Sequence, residues 1–161
     1  LGYAVFMSTS YTLDAVAPMF EDTVSEFPYT HSTGDTIGRF LAGLKEQKII
    51  WGQRVEGQGV VVPPLGYSEV NASAAGEWVK VASAGTITAV ARVFEPIDHL
   101  HPSDQPFAFI LVKLDGADTA MAHIVRDDLD KLLVGSRVEA VWKADDDRIG
   151  SIRDIDCFRV L

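Results

Sequence analysis

The chain has one cysteine in 161 residues and only 14 Lys and Arg against 23 Asp and Glu, with no basic cluster larger than isolated pairs. A single thiol, Cys157, can form no internal disulfide, so a reducing cytoplasm is the expected compartment. The net charge of −9 argues against the phosphate-neutralising surface from which single-strand binders draw most of their affinity, and nucleic acid becomes a disfavoured partner. Long apolar runs are missing too. Pro, Gly or charge interrupts each one well before the roughly 20 residues that a membrane helix needs. Leu1 to Phe6 are apolar but lack a basic n-region and a cleavage site, so they do not read as a signal peptide. Met7 is a candidate natural start, with Leu1 to Phe6 an upstream extension. There is no phosphate-cradling P-loop, no Gly-x-Gly-x-x-Gly fingerprint, and no Ser or Cys nucleophile in a recognisable local motif. Cys157, beside Phe158, reads as a core thiol.

A hydrophobic fraction of 47% with 23% charged residues describes a folded globular chain, long enough to bury a sizeable core. Three parts follow from the pattern. Residues 1–34 lack sustained periodicity and read as an arm whose Phe20, Phe27 and Tyr29 pack on the body or on a second copy. Residues 35–77 open with Asp35 and Thr36 as an N-cap. Ile37, Phe40, Leu41 and Leu44 follow at the i, i+3, i+4, i+7 spacing of an amphipathic helix, with Lys45 and Lys48 near its end. The apolar run Val60-Val61-Val62 then leads into Pro63-Pro64.

From Trp78 to the end the pattern is β. Trp78–Val81 alternates, and 85–94 and 107–114 are long β-branched or aromatic runs. Asp115-Gly116 predicts a type I′ hairpin joining the run to Leu114 with the run from Ala117 to His123. One or two helical turns over 126–133, a strand over 137–143 and a last strand over 149–160 complete the series. Three strands, a short helix and two strands give the order of a five-stranded OB-fold barrel, a mainly β architecture.

The stretch from Gln53 to Trp78 resembles a zinc ribbon without its cysteines. Together with the helix 38–45, the Pro63-Pro64 pair, the run Pro106-Phe107-Ala108 and the segment from Leu114 through Thr119 to His123, it resembles domain-of-unknown-function family thirty-five. Members of that family pair a rubredoxin-like zinc ribbon with an OB-fold and associate with thiolase-like, acyl-CoA-processing enzymes. The resemblance covers about Pro28 to Phe158 and points to the subgroup that has lost its zinc ligands. It places the four ligand positions at Val55, Gln58, Ser68 and Asn71. Val has no donor atom, and Gln, Ser and Asn are weak neutral ligands for a cation that prefers Cys sulfur or His nitrogen. The expectation is a metal-free, degenerate ribbon-like hairpin held by apolar packing, with no zinc.

Two side-chain sets invite a chemical reading. His99-x-His101, with Asp98 and Asp104, lies in the loop between barrel strands, where turn hydrogen bonds around Pro102 explain it better than a metal does. Asp115, Asp118 and His123 look like an acid–base set, but the hairpin turn accounts for Asp115, and alternation puts Asp118 on a face with neither of the others. The resemblance implies a non-catalytic accessory subunit of a thiolase-like or aldolase-like enzyme of lipid or steroid acyl-CoA metabolism. Phe40, Arg54, Lys80, His101, Asp104 and Phe107 are its candidate ligand or partner contacts, with Arg54 and Lys80 available to CoA phosphates. The alternative is an independent OB-fold module, either a homo-oligomer holding acyl-CoA or, less in keeping with the charge, a single-strand binder.

Overall fold

The structure, a computed structural model, describes residue 30, residues 32–98 and residues 100–161. The expected arm, including Phe20, Phe27 and Tyr29, lies almost wholly outside the described residues. Ser32–Leu161 form one compact unit.

Helix α1 runs Gly34–Ala42 and continues as a π-helical turn, Gly43–Gln47. It starts a residue earlier than the expected Asp35 cap, so Asp35 lies in the first turn, where a carboxylate suits the helix dipole. Lys48 ends the turn in the left-handed region, with φ 53. The expected apolar stripe is present: Phe40 and Leu44 are buried and Ile37 and Leu41 half-buried. Strand β1 (Ile50–Val55) then pairs antiparallel with β2 (Gly59–Val61) on one side and with β3 (Trp78–Val81) on the other. Trp78–Val81, read as the opening of the barrel segment, thus belongs to the ribbon's three-stranded sheet. Alternation identifies a strand but does not choose its partner.

The barrel begins at β4 (Ala84–Val93) and continues with β5 (Phe107–Leu114), β6 (Met121–Val125), β7 (Arg137–Trp142) and β8 (Ile155–Val160). It closes in the order β4-β5-β6-β8-β7, the Greek-key order of an OB-fold. β5 buries alternate residues Ala108, Ile110, Val112 and Leu114 inside, as period two requires. The β6–β8 contact is parallel and consists of one pair, Val125 with Phe158, so the barrel has a thin seam there. Between β6 and β7 the chain makes one 3₁₀ turn, Leu129–Lys131.

One core runs through both sheets. Phe40, Leu44, Ile50, Val60, Val62 and Val81 cluster with barrel residues including Ile87, Ile110, Met121, Val138 and Phe158. Each fully buried large side chain contributes roughly 1.5–3 kcal/mol, so the helix and ribbon sheet are structural parts of the barrel's unit. The β5–β6 connection seals the joint. Asp115-Gly116 does form a turn, with Ala117 N–H donating to Leu114 O at 2.9 Å. Only Gly116 has positive φ, so the turn is not type I′, which needs it at both central residues. Strand β6 resumes only at Met121 because Asp118 and Thr119 leave the ladder for β2. Asp118 exchanges backbone and carboxylate hydrogen bonds with Val60, and the Thr119 hydroxyl bonds both Val62 N and Val62 O. Gly59 is glycine because φ there is +78 and a Cβ would collide with the Asp118 carboxylate.

Candidate binding groove

Backbone hydrogen bonds close two knuckle turns in the ribbon. Gln58 N donates to Val55 O at 3.1 Å, and Ala72 N donates to Ser68 O at 2.8 Å. Val55 is 2% exposed and Ser68 0%. The Ser68 hydroxyl accepts from Val70 N, and Asn71 Oδ1 is occupied by Ser73 N and Oγ. Gln58 Oε1 and Gln53 Oε1 are buried without partners. These neutral, mostly occupied groups do not fit zinc. Among the described residues no three His, Cys, Asp or Glu side chains group as a metal site would require.

The candidate contacts scatter. Phe40 is 2% and Phe107 0% exposed, so both support the fold from inside and offer a ligand no surface. Arg54 is exposed and pairs loosely with Glu77 at 3.6 Å. Lys80 lies opposite Trp51, three residues from Arg54 on β1. The two cations therefore project from opposite faces of the sheet and do not form one phosphate clamp. Trp51 and Trp78 are instead capped by Arg39, whose guanidinium sits 4.5 Å from the Trp78 ring and 5.3 Å from Trp51. Asp104 is exposed. His101 Nδ1 accepts from Ile97 N at 2.8 Å, and its ring packs edge-on against Phe107 and Phe109 at 5.6 and 6.4 Å. His99 lies outside the described residues.

The acid–base set is dispersed as well. Asp115 is held by a forked pair with Arg137 at 2.7 and 2.5 Å, and the hydrogen bond keeps its carboxyl below the usual range. Asp118 is spent on Val60. His123 turns toward the barrel seam, its ring edge-on to Phe158 at 5.3 Å. Burial pushes its pKa below the ordinary value despite a long contact to Ile152 O at 3.4 Å. Its Nδ1 is buried with no partner. Burial likewise pushes the Cys157 thiol up, which suits a core group.

At the seam, β6 and β8 separate into a groove of about 310 Å³, the lower end of ligand-site volumes. Phe109, Ile124 and Pro102 form an apolar wall; His123 lines it, and Arg126, Lys143, Arg153 and Asp156 supply charge. Arg126 is tied to Asp156 at 2.7 Å across the seam. Lys143 and Arg153 make no ion pair within the described residues. Both are carried by the loop before β8, which is rigidly built. The buried Asp154 carboxylate accepts from Ile149, Gly150 and Ser151 N at 2.8–3.2 Å. The buried Arg148 guanidinium donates to Lys45 O, Lys143 O and Asp145. Asp145, held by Arg148 and then Lys48, has its pKa lowered to about 2. Sequence reading missed this groove because its walls come from four distant segments; a visible signal was the pair of basic residues flanking the acidic loop.

Barrel and thin seam define an OB-fold, with a mixed aromatic and basic groove beside strands β5 and β6. Residues 78–143 match the family described as "ChsH2, C-terminal OB-fold domain". Among solved structures, a chain of the "Ltp2-ChsH2(DUF35) aldolase" matches with TM-score 0.54 and 22% identity, over 69% of this chain and 86% of its own length. A DUF35 family protein of unknown function from Sulfolobus solfataricus matches with TM-score 0.53 and 20% identity, over 68% of this chain and 79% of its own. At such identities these structures share the fold. No curated protein matches the chain.

Proposed function

We propose that this chain is a non-catalytic accessory subunit of a thiolase-like or aldolase-like enzyme of acyl-CoA metabolism, lipid or steroid. The observation that carries the reading is an apolar outer surface with nothing within the described unit to cover it. Phe94, Ile97 and Leu100 in the β4–β5 loop are exposed, as are Phe109 and Leu111 on the outside of β5. Register sets Phe109 and Leu111 beside Ala91 and Ala89 on β4, making a smooth apolar strip. Surfaces of this kind on soluble proteins mark docking sites. A chain of similar fold within a structure named as an aldolase supports an enzyme as the occupant. The dispersal of Asp115, Asp118 and His123 supports the partner as the source of catalytic groups.

Co-expression of the tagged chain with a thiolase-like protein encoded beside it, followed by size-exclusion chromatography with light scattering, tests the proposal. Co-elution at fixed stoichiometry, with activity only in the complex, is the expected result. A chain that runs alone and binds acyl-CoA unaided would replace it with the independent-module reading, which the groove favours.

A further inference from the structure

The ribbon sheet ends in an open edge. Its strand order is β2-β1-β3, and its two outer strands differ. Asp118 and Thr119 close the outside of β2. On β3, Arg54 N donates to Glu77 O and Arg54 O accepts from Gly76 N, both at 2.8 Å. Alternation therefore turns the main-chain groups of Glu77, Val79 and Val81 toward β1 and those of Trp78 and Lys80 away from it. Ala82 N, next in that outward row, donates to Asp115 O at 3.0 Å. The main-chain N–H and C=O groups of Trp78 and Lys80 have no hydrogen-bond partner among the described residues. Two donors and two acceptors at alternate positions make a template for one more strand. The side chains give that edge a character. Lys80 lies directly opposite Trp51 and shares its face with Trp78, and the Arg39 guanidinium rests 4.5 Å from the Trp78 ring on the same side. Arg39 and Lys80 are both exposed. Neither makes an ion pair among the described residues, although the chain holds 23 acidic residues against 14 basic ones. The other face of the edge presents Val79, half-buried against the common core.

We propose that the β3 edge receives an extended acidic segment of a partner protein as a fourth strand of the ribbon sheet. Main-chain hydrogen bonds to Trp78 and Lys80 hold the segment, and its side chains set the selectivity. One carboxylate lies opposite Lys80, a second lies opposite Trp78 within reach of Arg39, and an apolar residue between them meets Val79. The recognised pattern is acidic, apolar, acidic. A second copy of β3 fits poorly, because pairing would bring the Lys80 and Arg39 charges of two chains together, which is how an edge lysine guards a strand against its own kind. The edge belongs to the ribbon sheet and needs nothing from the apolar strip on β4 and β5.

Titration calorimetry of the free full-length chain with the blocked peptide acetyl-Thr-Glu-Val-Glu-Val-Glu-Thr-amide tests this, beside amide hydrogen exchange with and without the peptide. Saturable binding is expected, weaker by at least about tenfold for the same peptide with Lys in place of each Glu. The Trp78 and Lys80 amides should gain protection from exchange when the acidic peptide is bound. Lys80→Pro removes one outward N–H and its charge while leaving every bond to β1, so it should keep its circular dichroism and lose at least about tenfold in affinity. Arg39→Gln, at an exposed position, leaves the edge itself intact and should lose about threefold. Should Lys80→Pro fail to fold, Arg39→Gln and the exchange pattern of the unmodified chain decide. No binding of the acidic peptide, equal binding of the basic one, protection confined to other strands, affinity untouched in Lys80→Pro, or a free chain that dimerises with the Trp78 and Lys80 amides protected would each overturn the proposal. The titration uses the chain alone, so its failure leaves the accessory-subunit reading standing.

Discussion

Asp118 joins the two sheets with both its main chain and its side chain. Its amide donates to Val60 O at 2.8 Å while its carboxylate accepts from Val60 N at 2.7 Å. Removing a charged acceptor from an amide costs about 1.5–3 kcal/mol, less where solvent can reach. Asp118→Ala is therefore expected to lower stability by about 1–2 kcal/mol in urea unfolding, and Asp118→Asn, which keeps an acceptor, by less. His123 gives a pH signature. Its pKa in the fold is lowered from 6.5 by burial, so on acidification the unfolded ring takes up a proton that the folded ring refuses. The stability it contributes is fully present above about pH 6.5 and is lost as pH falls from there toward the folded pKa. The urea midpoint should drop more steeply between about pH 7 and about pH 5.5 in the unmodified chain than in His123→Gln. The sequence singled out both residues, but for proton transfer. Residue type shows that a side chain can titrate, whereas its partner depends on a loop leaving the β5–β6 ladder, which local pattern does not encode.

Among the elements, the ribbon sheet is held by packing. Val60, Val62 and Val81 sit in the common core, and the Asp118 and Thr119 contacts pin β2 from the other side. Metal analysis of the purified chain is expected to give well under one zinc per chain, and chelator to leave the melting temperature unchanged. Stoichiometric zinc whose removal unfolds the chain would contradict this. The strands were largely legible because alternation of buried and exposed residues is a local property; β4, β5, β7 and the end of β8 fall where the β-branched runs lie. Trp78–Val81 was legible as a strand, but its pairing with β1 was not. The same register that settles it puts Lys80 and Arg54 on opposite faces of the sheet.

For the molecule as a whole, an exposed apolar strip and a groove carrying basic residues occupy neighbouring parts of the barrel wall. Leu100 and Leu111 are exposed and contribute nothing to the buried core. Leu100→Asp and Leu111→Asp are therefore expected to leave the free chain folded while weakening co-elution with a thiolase-like partner by about tenfold or more, read by light scattering on the mixed proteins. Strand patterning foretold the architecture, and composition the poverty of basic residues. Neither foretold the groove, whose Phe109, His123, Lys143 and Arg153 are up to 44 positions apart by their numbering and meet only because β8 inserts between β6 and β7.

That insertion also sets how the molecule breathes. With only Val125 and Phe158 bridging β6 and β8, the barrel wall has one place where few backbone bonds must break to part it. Amide protons along Ile155–Asp156 and Ala122–His123 should exchange with deuterium well ahead of those on β5, which is paired on both sides. The closed cylinder would then behave in solution as a sheet with a clasp, opening along one line far more often than it unfolds.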